Sequence, residues 1–414
     1  MNMAIKEHYS DNLSLPARKT FIVIMALLIA INAVSIDIML PGLQQIGESL
    51  NVTNENQRQW VITAYLLGMG IAQLFFGPLS DRFGRKYPLI AGMVIYILSA
   101  LVIMISPDFT LLLLFRFIQG IGAAASRVIT LSIIRDAYGG RKMAEILSLV
   151  MMVFMIVPVI APGVGQLLLV LGEWRIIFAA IAVYALGVTF LVMRYLPETL
   201  PIIKRRTLKF SDISAAFIIV LTHRASVCYA LAVSFLLGAL YGFINSSQQI
   251  LTGIYQLGNG FPLVFAAFAL VMAASSWLNA KMVRRYGMTR LSHGAMMGFI
   301  LVSLIWVIAT LLGDLPFAAF VLFYTLTMLQ FGLITANFNA LAMVSLGHIS
   351  GTASSVLGFL QTIIGGLAGG AIGMAFNGTV MPLAVGFLVS SILALIFVLI
   401  GEKGQLFVHQ QSDD

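Results

Sequence analysis

Of the sixteen acidic residues in this 414-residue chain, fifteen fall in tails, loops or the ends of apolar stretches. Asp37 is the exception, set inside "ALLIAINAVSIDIML". A carboxylate within lipid costs about 2.5–3.5 kcal/mol, so such a residue faces a cavity or a partner. Its available chemistry is the uptake and release of a proton. Two arginines share this setting, Arg116 and Arg127 in "LLLLFRFIQGIGAAASRVIT". They are eleven positions apart, close to three turns of a helix, so their guanidiniums share one face. Arg127 then has two readings: a fixed positive charge at the mouth of a cavity, or a side chain snorkelling to water. One cysteine excludes an intrachain disulfide, and the five histidines show no metal-ligand spacing. No metal or cofactor is expected.

The elements that hold these residues follow from composition. Sixty per cent of residues are apolar and only 10 % charged, with a mean hydropathy of +0.99. A soluble domain carries about 25 % charged residues. Apolar stretches long enough to span a bilayer lie at about 20–43, 58–80, 87–106, 109–134, 145–170, 175–196, 225–249, 259–280, 290–312, 315–340, 352–376 and 380–400. The chain thus reads as an all-α membrane protein of twelve transmembrane helices. A polar stretch at 197–224, containing "PETLPIIKRRTLKF", divides an N-terminal six-helix bundle (1–196) from a C-terminal one (225–414). Each half has a basic loop between its second and third spans, "GPLSDRFGRK" (77–86) and "AKMVRRYGMTR" (280–290). Their offset of about 200 residues marks two pseudo-symmetric halves, a transporter plan with its site between them.

Charge sets the expected orientation. With both termini inside, twenty of the 24 Lys and Arg fall on the cytoplasmic side and two, Arg58 and Arg175, on the other. The net charge of +8 therefore reads as membrane orientation, and nucleic acid is not an expected partner. Trp60, Trp174, Trp277 and Trp306 fall near span ends, as interfacial belts require. No cleavable signal peptide is expected: the first span is too long for one.

Several motifs resemble a known family. "GPLSDRFGRK" matches the loop G-x-L-x-D-R-x-G-R-K of the major facilitator superfamily, and "RFIQGIG" (116–122) matches R-x-x-Q-G-x-G of its proton-coupled members. "SIDIMLPGL" (35–43) and "IIRDAY" (133–138) are similar to the bicyclomycin/chloramphenicol-resistance branch of drug:proton antiporters. In the fifth span, Ala161-Pro162-Gly163-Val164-Gly165-Gln166 departs from the antiporter pattern G-P-x-x-G-G at Ala161 and Gln166. Pro158 and Pro162 each remove a helical hydrogen bond and Gly165 permits close approach, so this helix should bend and pack tightly.

The resemblance assigns expected roles. Asp37 lies about 25 Å along the first helix and Arg116 about 10 Å into the fourth from the other face, so both occupy one half of the bilayer. The family places these two helices together at the cavity, which makes Asp37 and Arg116 a candidate proton-coupling pair or a static ion pair. Gly77, Asp81, Arg82, Gly84, Arg85 and Asp136 form the inner gating motif, with Arg85 expected on Asp136 and Asp81 near the start of the eleventh helix. Tyr241, Asn245 and Gln248 in the seventh span, and Gln330 and Asn337 in the tenth, either line a cavity or bond neighbouring helices. Met151, Phe154 and Met155 on the fifth would complete an adaptable apolar wall.

The leading expectation is a monomeric inner-membrane antiporter that exports small amphipathic molecules in exchange for protons. The alternative is a proton-coupled transporter dedicated to one metabolite, such as a sugar, amino acid or siderophore. A membrane enzyme would need clustered intramembrane groups, and a receptor would need a signalling domain.

Overall fold

The computed structural model describes residues 15–205 and 210–407, so part of the linker between the halves lies outside the described residues. Among those described, twelve helices are long and apolar enough to cross a membrane. They are α1 (Arg18–Asp37), α2 (Trp60–Phe83), α3 (Lys86–Met104), α4 (Phe109–Ala137), α5 (Gly140–Leu171) and α6 (Arg175–Tyr195), then α7 (Arg224–Gln248), α8 (Phe261–Tyr286), α9 (Met288–Leu311), α10 (Phe317–Met343), α11 (Ser350–Met374) and α12 (Met381–Gly401). There is no strand among the described residues, so the backbone in the spans bonds within helices, as lipid demands.

Two units emerge from the contacts, residues 1–52 with 64–213, and 53–63 with 214–414. In the first, α1 packs on α4 and α5, while α3 packs on α4 and α6. In the second, α7 packs on α10, α11 and α12, and α9 on α10 and α12. The core of this second unit is aromatic. Phe243 lies 4.1 Å from the Tyr324 ring centroid, and Phe268, Phe320, Trp306 and Phe387 join the same cluster. The short segment 53–63 belongs here through its amides: Gln59 Nε2 donates to Gln249 Oε1 (2.8 Å), Gln249 Nε2 to Asn56 Oδ1 (3.0 Å), and Asn56 Nδ2 to Phe376 O (2.7 Å).

Two expectations need correction. The first span does not end near residue 43 but continues, through a break, to Ser49. The tryptophans do not all form belts. Trp60 and Trp277 are exposed, but Trp174 and Trp306 are fully buried, Trp174 donating its indole N–H to Ser49 Oγ (2.7 Å) and Trp306 stacking in the aromatic core. Ring area buried against other rings outweighed the interfacial preference at those two positions.

Candidate functional site

The break in α1 falls at Asp37. Regular helix stops there, and after Ile38 and Met39 a single 3₁₀ turn (Leu40–Gly42) leads into a short helix, Leu43–Ser49. Pro41 is the cause: it has no N–H to offer the Asp37 carbonyl four residues back, and its ring crowds that carbonyl. Gly42 N turns to Met39 O instead (2.9 Å). On the other side of the break stands α5, which contains Pro158 and Pro162. Its Gly165 lies directly on the Ile38 backbone; a Cβ there would meet the Ile38 carbonyl oxygen and come within 2.9 Å of the carbonyl carbon.

Asp37 is 5 % exposed, and among the described residues no hydrogen bond or ion pair engages its carboxyl group. Of the expected pairing with Arg116, direct or through water, the direct form is not made among the described residues. Arg116, fully buried, is held elsewhere: Nη1 donates to Gln119 Oε1 (2.8 Å), Nη2 donates to Ser35 O (3.2 Å), and the guanidinium lies over the Tyr65 ring (4.7 Å to the centroid) and near Phe178 (5.7 Å). The physical reason is reach. A planar fork with five donors is satisfied by a carbonyl, an amide and two ring faces at hand.

Sequence reading missed the polar groups that complete this region. Tyr65 Oη donates to Asn32 Oδ1 (3.2 Å), Asn32 Nδ2 to Ser126 Oγ (3.2 Å), and Ser126 Oγ to Ala123 O (2.8 Å). Ser35 Oγ meets both Ile31 O (2.6 Å) and the Tyr96 hydroxyl. The available signal was Asn32 and Ser35 three apart in an apolar helix, hence on one face. Arg127, one position past Ser126, is half-buried, with no hydrogen bond or ion pair among the described residues.

At one end of this unit lies the loop joining α2 and α3. Arg85, 4 % exposed, bonds three partners: Asp136 Oδ2 through Nε (2.7 Å), and Asp81 Oδ1 (2.6 Å) and Ser80 Oγ (2.8 Å) through Nη1. Burial alone would lower the guanidinium's pKa, but the bond to Asp136 and the charges of Asp136 and Asp81 hold it above its ordinary value. The expected Arg85–Asp136 pair is therefore present, while Arg82 stays exposed over Phe83 and Gly77 sits half-buried in α2. Glu198, which sequence reading passed over, caps the loop: its carboxylate accepts the N–H of Arg85 (2.8 Å), Lys86 (3.1 Å) and Leu200 (2.9 Å). It thereby supplies acceptors to the unsatisfied start of α3, where a negative charge is also favoured by the helix dipole.

Gly84 has φ +91°, and a Cβ there would collide with that same carboxylate. Gly84→Ala is therefore expected to destabilise the protein by about 1–3 kcal/mol, seen as a lower Tm in detergent. Glu198→Ala should lower Tm as well, and combining the two should cost less than their sum, because the collision requires the carboxylate. Strict additivity would refute the contact.

The polar positions of the second unit divide. Asn337 (3 % exposed) donates to Asn279 Oδ1 on α8 (2.7 Å) and to Leu333 O (2.7 Å). Gln330 donates to Leu326 O (3.0 Å) and its amide lies against Gly298 of α9. Asn337 thus bonds across to α8, whereas the hydrogen bond of Gln330 stays within α10 and its amide packs against α9. On α7, Tyr241 and Gln248 are half-buried; Asn245 is 2 % exposed and neither atom of its amide has a partner among the described residues. On α5 of the first unit, Met151 is 41 % exposed, while Phe154 and Met155 are half-buried.

Comparison with known proteins agrees with this architecture. The family model described as Major Facilitator Superfamily matches residues 25–370. The chain is 30 % identical over 359 residues to multidrug resistance protein D of Escherichia coli, covering 84 % of this chain and 86 % of that one. It is 29 % identical over 367 residues to the bicyclomycin resistance protein homolog of Haemophilus influenzae, covering 88 % and 91 %. Among solved structures, the E. coli xylose transporter XylE, in a partially occluded inward open conformation, superposes with a TM-score of 0.72 at 14 % identity, covering 96 % of this chain and 99 % of that one. Twelve spanning helices, the Arg85 loop network and a family match over most of the sequence lead to one conclusion: the chain belongs to the Major Facilitator Superfamily.

Proposed function

We propose that this protein is a proton-coupled exporter of small amphipathic compounds, working by alternating access as a monomer in a bacterial inner membrane with both termini cytoplasmic. The observation that carries the reading is the Asp37 carboxyl group, buried at the break in α1 with no cation on it among the described residues. Such a group can take up and release a proton without first breaking an ion pair. Arg116, tied to Ser35 O and Gln119, fixes the helix turn next to it and supplies positive charge nearby. A proton moving inward through about 150 mV supplies roughly 3.5 kcal/mol, enough for a gradient of a few hundred-fold. The names of the relatives, multidrug resistance protein D and bicyclomycin resistance protein homolog, support drug-like cargo. So does the run of Met151, Phe154 and Met155, whose soft, adaptable side chains suit varied ligands. In this reading Asp81, Arg82, Gly84, Arg85 and Asp136 form the inner gate.

The test is transport in inverted vesicles, scoring dye and antibiotic uptake against an imposed proton gradient. Uptake of several unrelated amphipathic compounds supports the reading. Saturable uptake of a single polar metabolite replaces it with a dedicated transporter.

Arg127 sets a preference within that site. A half-buried cation at the inner mouth disfavours a cationic cargo, so Arg127→Ala should raise the ratio of ethidium to chloramphenicol efflux at matched expression. The shift is modest, about 1 kcal/mol, because an open cavity is wet and screened. An unchanged ratio would return Arg127 to bulk water.

A further inference from the structure

The chain does not simply run off the end of α12. Residues 402–407 turn back on the second unit, and the turn uses left-handed backbone at Lys403 (φ +55°), Gly404 (+81°) and Phe407 (+66°). Left-handed Lys and Phe are uncommon, so tertiary contacts must hold them there. Gly404 N donates to Leu399 O (2.8 Å), Arg224 Nη2 to Gly401 O (3.2 Å), and Phe407 N to Nδ1 of His293 (3.2 Å). His293, on α9, is 1 % exposed. Its ring stacks on Tyr229 of α7 at 6.5 Å and lies edge-on to Phe407 (5.7 Å) and Phe338 (6.1 Å).

These bonds have one direction. A ring nitrogen that accepts an N–H carries no proton, so His293 is the neutral tautomer with its hydrogen on Nε2. That hydrogen faces Tyr229 Oη (3.4 Å), and Tyr229 passes its own hydrogen to Glu402 Oε1 (2.6 Å). A second proton on the ring would occupy Nδ1 and set two donors, ring N–H and Phe407 N–H, against each other. The strained turn would lose its anchor.

We propose that His293 is a proton-binding site of the second unit, and that its protonation releases the 402–407 latch from α7 and α9. Among the described residues, the charged and titratable groups around it are few. From α7 come Arg224, Cys228 and Tyr229; from the end of α12, Glu402, with exposed Lys403 beyond it; on α9 itself, exposed Arg290; at the end of α8, Lys281, Arg284 and Arg285. From α10 the facing side chain is Phe338, without charge. Glu402 is thus the acid that partners the chain of bonds, and its protonation is the rival cause of release. Because Tyr229 and Glu402 join α7 to α12, loss of the latch also frees the end of α7, the helix that carries Tyr241 and Asn245. The proposal concerns this unit alone and stands whatever the cargo is.

The experiment places a spin label at Gln405→Cys, in a Cys228→Ala background, on full-length protein in lipid nanodiscs, with spectra from about pH 8 to about pH 4.5. The parent should be immobilised at the upper end, with the mobile component growing several-fold as pH falls. His293→Asn keeps an acceptor for Phe407 N–H and cannot titrate, so its label should stay immobile throughout. His293→Phe has no acceptor and should be mobile at both ends, while still eluting as a single folded species. A parent spectrum unchanged over the range would overturn the proposal. So would a His293→Asn protein that follows the parent's transition, which would assign release to Glu402; Glu402→Gln would then abolish it.

Discussion

Asp37→Asn is expected to abolish uphill export in vesicles while the protein still inserts, folds and lets cargo equilibrate down its own gradient. Asparagine matches aspartate in shape but cannot carry the proton. The group is already without an ion pair among the described residues, so the exchange removes no salt bridge and Tm should hold within about 1 kcal/mol of stability. The effect on transport is of another order. At a driving force of about 3.5 kcal/mol per proton, the accumulation ratio should fall from a few hundred-fold to unity. Proton-driven accumulation retained in Asp37→Asn would remove this residue from coupling and leave the exporter reading without its central observation. Arg116→Lys is the informative companion. A lysine cannot reproduce the fork to Gln119 and Ser35 O, so that variant should lose stability as well as transport.

Much of the fold was legible because lipid leaves little choice. Twelve apolar stretches follow from a simple pattern, and twelve helices long and apolar enough to cross a membrane answer to them among the described residues. The Arg85–Asp136 bond was legible too, through a motif with fixed spacing. What could not be read was local competition for hydrogen bonds. Arg116 was expected to pair with Asp37, yet a carbonyl two residues before Asp37 and an amide three residues along its own helix hold its guanidinium. Asn337 and Gln330 could be read as polar positions but not as particular bonds: Asn337 reaches Asn279 on α8, and Gln330 turns to Leu326 O of its own helix. Glu198 escaped notice because its partners are backbone N–H groups, which every residue has and no sequence pattern marks. The break at Asp37 was partly visible: Pro41 is in the sequence, but its setting depends on α5 packing against the turn.

That packing yields the last expected result. Gly165→Ala should be among the most damaging single substitutions in the protein, though it adds one methyl group. The added carbon would sit on the Ile38 carbonyl oxygen and 2.9 Å from its carbon. Backbone, unlike a side-chain tip, cannot swing away, so α5 must move off the α1 break. Overpacking of this kind costs about 1–3 kcal/mol, and more where the neighbour is rigid. The displaced contact adjoins Asp37, so transport should fail together with stability. Gly187→Ala on α6 is the control: nothing lies within 4 Å of its added carbon, and alanine is the better helix former by about 1 kcal/mol. Gly187→Ala should therefore leave Tm unchanged or raise it, while Gly165→Ala lowers Tm by several degrees and stops accumulation. If Gly165→Ala behaved like Gly187→Ala, α5 would not rest on the α1 break, and the setting of Asp37 would have to be redrawn.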